Sequence, residues 1–172
     1  MSLLIDGLGV LGIITTFMVY QQKERKRMLI WKLITDLVWI LHYYLLGGYS
    51  ACAITVVAIF RSIVFMNDDK KWAQGKKWLY IFLAASLVMS ALAWQGPITL
   101  LTLFSSLISI VAYWMPNTGM TRFITLPAAV LYLVYTILCK SKEGFICELF
   151  LITSTIVGIF RHDIPRKSKE TK

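Results

Sequence analysis

The chain has 172 residues, of which 58% are hydrophobic and 16% are charged, and its mean hydropathy is +0.68. A soluble domain carries about 45–50% apolar and about 25% charged residues, so this composition argues against one. The formal net charge of +9 does not indicate a nucleic-acid partner, because nearly all basic residues lie between or after apolar runs.

Seven apolar runs fill the chain, and each is close to the length that crosses a bilayer. A spanning helix needs about 20 mostly apolar residues, with a lower limit of about 17. The first run has no positive segment before it and no small-residue cleavage site after it, so we expect it to be retained. The pattern predicts an all-α integral membrane protein with transmembrane helices at residues 3–20, 28–46, 49–66, 78–95, 97–115, 123–139 and 145–160.

Basic residues are distributed unevenly between the connections. The first, third and fifth connections together with the tail carry 14 lysines and arginines, whereas the sixth connection carries two. Basic connections stay on the cytoplasmic side, so the N-terminus is predicted outside and the C-terminus inside. Aromatic residues at the ends of the runs, Tyr20 among them, are expected to anchor the helices at the interface.

The two ends of the chain resemble each other. A shift of 93 places Tyr20 on Tyr113, Trp39 on Tyr132 and His42 on Tyr135, and a shift of 100 places residues 55–61 on 155–161. Equivalent helices then run the same way through the membrane, which predicts a parallel repeat. The predicted units are repeat one at 3–66, a linker helix at 78–95, repeat two at 97–161 and a short basic tail at 162–172. Chance similarity between apolar helices is the alternative.

A set of residues spread over nearly the whole chain forms a recognisable pattern: Gly12, Gln22 with the basic run through Arg27, residues 36–43, Leu46, Gly47, Arg61, Glu148, Ser154, Gly158 and Arg161. In these residues the chain resembles the YgjV family of bacterial inner-membrane proteins. The resemblance implies a multi-pass protein of the bacterial inner membrane with no assigned activity. In architecture, the 3+1+3 arrangement also resembles the SWEET sugar carriers and the PnuC vitamin carriers. The first helix lacks the proline that SWEET carriers have there.

Ionisable residues within apolar runs are costly, so each requires an explanation. Asp36 is predicted near the middle of the membrane, with Lys32 one turn away or Arg61 as its partner. Asp36, Trp39 and His42 share one side of the second helix, which we expect to face the bundle interior. They line a polar cavity or, alternatively, form a structural hydrogen-bond network with Arg61.

The repeat directs attention to equivalent positions on opposite sides of the bundle. We expect Trp39 and His42 to face Tyr132 and Tyr135 across a central pocket, because transporter sites lie at repeat interfaces. The predicted substrate-binding residues are Asp36, Trp39, His42, Thr55, Arg61, Tyr132, Tyr135 and Thr155. The two threonines could instead bond their own helix backbones. Arg61 could snorkel to the interface, and Glu148 is expected to be a snorkelling or helix N-terminal acid.

Other motifs are weaker. Residues 7–12 match G-x-G-x-x-G, but no strand precedes them, so close helix contact explains these glycines better than dinucleotide binding. Cys139 and Cys147 flank one loop and could pair, although inert apolar cysteines are expected. No metal-ligand spacing and no acyl- or phosphoryl-transfer arrangement is present, so we predict no metal, no cofactor and no enzymatic activity.

Two functional hypotheses follow from these patterns. The first is a small-solute transporter or facilitator whose site lies between the repeats. The second is a non-transporting inner-membrane sensor, scaffold or lipid-interacting protein, which the missing proline in the first helix favours. The expected partners are the phospholipid bilayer and a small polar or ring-bearing solute; nucleic acid is excluded, and a homo-oligomer is left open.

Overall fold

The computed structural model describes residues 2–45, 49–92, 94, 96–138 and 142–163. These residues form seven α-helices and no strand, which confirms the all-α prediction. The helices are α1 Ser2–Tyr20, α2 Arg25–Leu45, α3 Tyr49–Met66, α4 Lys77–Leu92, α5 Thr99–Trp114, α6 Thr118–Leu138 and α7 Lys142–Gly158, with a final π-helical turn at Ile159–Asp163.

Local chemistry explains several helix ends. Gly75, between α3 and α4, and Gly96, before α5, have φ angles of 97° and 96°, a backbone region that glycine enters without steric cost. Asn117 precedes α6, and its side-chain oxygen accepts a 2.8 Å hydrogen bond from the Gly119 amide. This cap starts α6 at Thr118 instead of residue 123, and Arg122 therefore lies inside the helix.

Sequential helices pack against one another in two groups of three. α2 packs between α1 and α3, and α6 packs in the same way between α5 and α7. The groups meet along two seams. At the α1–α7 seam the helices are in extensive contact, whereas at the α3–α5 seam they barely touch and α4 packs mainly on α5.

One end of the bundle collects the α1–α2, α3–α4 and α5–α6 connections and the π-helical turn. Arg25, Arg122 and their partners link these segments, and we call this end of the bundle the clamp end. Two apolar clusters form the core. One contains Tyr20, and the other contains Phe65 and Tyr113. Tyr20 is 2% exposed, so the prediction that it anchors α1 at the interface is wrong.

Two helices are long and apolar enough to cross a membrane, Thr118–Leu138 and Gly144–Asp163. Shorter apolar helices within the part of the chain that is described are Ile5–Tyr20, Thr55–Met66, Lys77–Leu92 and Thr99–Trp114. Large apolar side chains on the outside of several helices, such as Val10, Phe104 and Leu138, are exposed. The prediction of seven spans is met by length and composition in two helices and stays a prediction for the others.

Candidate functional site

A cavity of about 430 Å³ lies between the two groups of helices, on the side of the α3–α5 seam. All seven helices contribute at least one lining residue. Its wall is rich in hydroxyl groups, which can both donate and accept hydrogen bonds. The lining side chains with an aliphatic hydroxyl are Thr55, Ser86, Ser90, Thr99, Thr102, Ser105, Ser106, Ser109 and Thr125.

Most of these hydroxyls lie on one face of α5. Its serines and threonines between Thr99 and Ser109 recur every three or four residues, the spacing that aligns side chains on one helix face. Ser105 donates a 2.7 Å hydrogen bond to the Ala128 carbonyl, and Ser106 bonds Ser86 at 3.1 Å. The sequence prediction omitted this stripe, although its spacing is visible in the sequence.

Three charged side chains line the cavity: Lys32, Arg61 and Glu148. Lys32 forms an ion pair with Asp36, which is 5% exposed, so the prediction of a paired Asp36 is confirmed with Lys32 as partner. Asp36 itself does not line the cavity. The Arg61 guanidinium lies over the Tyr113 ring, 5.1 Å from its centroid. Arg61 is 8% exposed and therefore does not snorkel to the surface.

Trp39 and His42 face α1 and not the cavity. A Cβ atom at Gly12 would lie 2.9 Å from Trp39 Cε2, and His42 Nδ1 lies 3.1 Å from the Ile5 carbonyl oxygen. The prediction that Trp39 and His42 look across a pocket at the two tyrosines of α6 is therefore wrong. Gly9 and Gly12 give these large rings room, which confirms close helix contact as the reason for two of the three glycines in the pattern.

The remaining predicted site residues divide between the cavity and the core. Tyr132 and Tyr135 line the cavity with their ring centroids 5.4 Å apart, and Thr55 lines it too. Thr155 is fully buried, and its hydroxyl donates to the Leu151 carbonyl at 2.8 Å. The predicted pairing of Thr55 with Thr155 at one site is wrong, because Thr155 bonds its own helix.

The cavity ends, toward the clamp end, at a pair of tyrosines. The hydroxyls of Tyr20 and Tyr113 lie 2.7 Å apart and hydrogen-bond to each other. Both rings are buried and both line the cavity. These two residues coincide under the shift of 93, so the hydrogen bond joins equivalent positions of the two groups of helices.

Arg25 closes the α3–α5 seam beyond these tyrosines. It donates to the carbonyls of Tyr113 at 3.2 Å and Met115 at 2.7 Å at the end of α5, and to that of Phe65 at 2.9 Å on α3. Its ion pair with Asp68 measures 2.6 Å. Burial lowers the pKa of Arg25 from its usual value and Asp68 opposes this change; arginine nonetheless stays charged in proteins.

Arg122 makes the reciprocal contacts at the α1–α7 seam. It donates to the Tyr20 carbonyl at 2.9 Å and to that of Gln22, and pairs with both carboxylate oxygens of Asp163 at 2.8 and 2.9 Å. Tyr113 and Met115, the acceptors of Arg25, lie 93 residues after Tyr20 and Gln22. Each arginine therefore holds the end of the first helix of the opposite group. Sequence reasoning missed both roles, because it counted the two arginines only as basic loop residues.

The described residues bear on two further predictions, those on metal binding and on the cysteines. Among the described residues, no group of three or more His, Cys, Asp or Glu side chains could hold a metal ion. Cys147 is a free cysteine. Cys52 and Cys139 lie outside the side chains that the structure describes, so the expectation of inert apolar cysteines stays a prediction for those two residues.

Comparison with known proteins identifies a family. A family model named Imp-YgjV, described as a bacterial inner membrane protein, matches residues 3–165. This match confirms the resemblance that the sequence motifs predicted. No curated protein and no solved structure matches the chain.

Proposed function

The chain belongs to the Imp-YgjV family of bacterial inner membrane proteins, and we propose that it is a small-solute transporter or facilitator of that membrane. The observation that carries the proposal is the hydroxyl-rich cavity of about 430 Å³ between the two groups of helices. Ligand sites of small molecules have volumes of about 300–1,000 Å³, with a few polar groups that fix orientation. The cavity matches this description.

The proposal includes seven membrane-spanning helices with the clamp end in the cytoplasm. The three connections at the clamp end contain Lys23, Lys70, Lys71 and Lys76, whereas the other three connections contain one basic residue, Lys140, which favours the cytoplasmic side for the clamp end. The N-terminus would then lie outside and the C-terminus inside. Reporter fusions at residues 1 and 172 should report opposite sides of the membrane; fusions on the same side would contradict this topology.

The proposal also includes a parallel 3+1+3 repeat with α4 as the linker. The bond between Tyr20 and Tyr113 supports it, because these residues coincide under the shift of 93. The arginine contacts support it through their acceptors, because Tyr20 and Gln22 coincide with Tyr113 and Met115 under the same shift. Transporter sites commonly lie at such repeat interfaces. Thr55, Arg61, Tyr132 and Tyr135 are the predicted binding residues that line the cavity. No enzymatic activity is proposed.

Accessibility of the cavity from each side of the membrane distinguishes transport from the alternative of a sensor, scaffold or lipid-interacting protein. The experiment places Ser106→Cys in a variant that lacks Cys52, Cys139 and Cys147, and treats right-side-out and inside-out vesicles with a small charged thiosulfonate reagent. We expect labelling from outside when the clamp end is closed. Adding Arg25→Ala should increase labelling from inside, because it removes a bridge across the α3–α5 seam.

The matched control is Val134→Cys, because Val134 is 41% exposed on the outer face of α6. A thiol in contact with lipid should stay unlabelled from both sides, since the thiolate is the reactive form. Labelling of Ser106→Cys from the same single side with and without Arg25→Ala would contradict transport and favour the alternative.

A further inference from the structure

We propose that the cavity binds a solute through an anionic group, a carboxylate or a phosphate, and that Arg61 is the residue that holds this group. This inference rests on the proposed function and names its substrate class. The first observation is the position of Arg61, which lies on α3 and lines the cavity while only 8% of its surface is exposed.

Arg61 has no anionic partner among the side chains that the structure describes. Its Nε atom is buried and lacks a hydrogen-bond partner, and none of the described carboxylates forms an ion pair with it. An arginine cannot shed its charge by deprotonation. Removing an ion from water is costly unless a partner compensates its charge. The Tyr113 ring supplies a cation–π contact, which offsets part of that cost.

Neither Asp36 nor Glu148 compensates the charge of Arg61. Asp36 is ion-paired with Lys32. Glu148 also lines the cavity, but it forms no ion pair with Lys32 or Arg61. An anionic group beside Arg61 would compensate the charge of this side chain and receive the planar pair of N–H donors that guanidinium offers to carboxylate and phosphate.

The rest of the cavity suits the remainder of such a solute. Tyr132 and Tyr135 form an aromatic wall, and the α5 hydroxyls supply neutral donors and acceptors. A ring-bearing acid is therefore a suitable probe. Benzoate, phenyl phosphate, benzamide and benzylamine share one ring and differ in the charge and shape of the attached group.

The test measures the melting temperature of the full-length protein in detergent with each of these four probes. Benzoate or phenyl phosphate should raise the melting temperature more than benzamide or benzylamine, and the stronger of the two identifies carboxylate or phosphate as the preferred group. Arg61→Gln should weaken binding of that probe about tenfold to hundredfold, the loss expected for a charged hydrogen bond.

Arg161→Gln is the matched control, because Arg161 follows Arg61 by 100 residues and is exposed in the π-helical turn. It should leave probe binding unchanged. A second measurement needs no ligand: Arg61→Met should keep or raise the melting temperature, because it removes an uncompensated buried charge. A lower melting temperature would assign Arg61 a structural role and overturn the inference.

Two further outcomes would also overturn it: no difference between the four probes, or unchanged probe binding in Arg61→Gln. These failures are separate from failure of the transport proposal. Two-sided labelling of Ser106→Cys without a preference for anions would contradict this inference alone. Anion binding through Arg61 combined with one-sided labelling would support this inference and contradict transport.

Discussion

The α1–α7 seam and the α3–α5 seam are equivalent under the proposed repeat, yet one is packed and the other contains the cavity. At the α1–α7 seam, Ser154 donates to the Phe17 carbonyl and Gln21 donates to the Ser154 carbonyl at 2.9 Å. At the α3–α5 seam, the helices meet through Arg25 at the clamp end and separate beyond it. The same arrangement of three helices therefore packs closely at one seam and leaves a cavity at the other.

Two features account for the difference. Gly158 on α7 has no side chain where the helix meets the Tyr20 carbonyl and Arg122, whereas the position 100 residues earlier is Ala58, which lines the cavity. In addition, the linker helix α4 lies on the α3–α5 side only, and its residues Phe82 and Ser86 form part of the cavity wall. Because α4 covers this seam, α3 and α5 do not have to pack directly against each other.

The largest expected effect compares the loss of stability on replacing Arg122, at the packed seam, with the loss on replacing Arg25, at the open seam. The Arg122 side chain is fully buried and bonds Asp163 through both oxygens, whereas Arg25 keeps 15% of its side chain exposed and pairs with the exposed Asp68. Arg122→Ala should lower the free energy of unfolding by about 3–5 kcal/mol, the range for breaking a buried pair. Arg25→Ala should cost about 1–2 kcal/mol.

Reversible unfolding in mixed micelles measures both variants against the wild type. Equal losses in the two variants would mean that the arginines support their seams equally, and the comparison between a packed and an open seam would fail at the clamp end.

The second prediction concerns the close approach of α7 to α1. A Cβ atom at Gly158 would collide with the Tyr20 carbonyl oxygen, which belongs to the backbone and cannot rotate away. Gly158→Ala should therefore lower the free energy of unfolding by about 3 kcal/mol, the upper part of the range for overpacking. Gly7→Ala is the control, because nothing lies within 4 Å of its Cβ position, and it should be neutral or stabilise by about 0.5–1 kcal/mol.

The smallest effect concerns the tyrosine pair where both seams meet the cavity. Tyr20→Phe and Tyr113→Phe should each lower the free energy of unfolding by about 1 kcal/mol, the typical net value of one hydrogen bond. Because both variants remove the same 2.7 Å bond, the double variant should cost little more than either single one. Strictly additive losses in a double-mutant cycle would show that the two hydroxyls are not coupled.

Patterns within single helices were predicted well from the sequence. The apolar runs gave the all-α class, and the spacing of four residues gave the Lys32–Asp36 pair. Each of these depends on neighbours along one helix, whose geometry is fixed by 3.6 residues per turn. The hydroxyl stripe of α5 belongs to the same class and was visible in the sequence, although the prediction did not use it.

The partners of a side chain on other helices could not be predicted in the same way. Trp39 and Tyr132 coincide under one shift, yet Trp39 fills a space opposite Gly12 whereas Tyr132 lines the cavity. Gly12 lies opposite Trp39, whereas the position 93 residues after Gly12 is Ser105, which bonds the Ala128 carbonyl. The proposed repeat predicts which positions are equivalent. The contacts that each position makes depend on the size of residues on neighbouring helices, which lie elsewhere in the sequence.

The sequence by itself determined the helical membrane class, the family and the local pairs, because hydrophobic length and helical periodicity are properties of contiguous residues. Only the tertiary structure decided that Arg25 and Arg122 hold opposite groups of helices, that Tyr20 meets Tyr113, and that the cavity lies at the α3–α5 seam. Those contacts join residues about 90 to 100 positions apart. Their formation depends on how seven helices pack together and on which seam the linker helix covers.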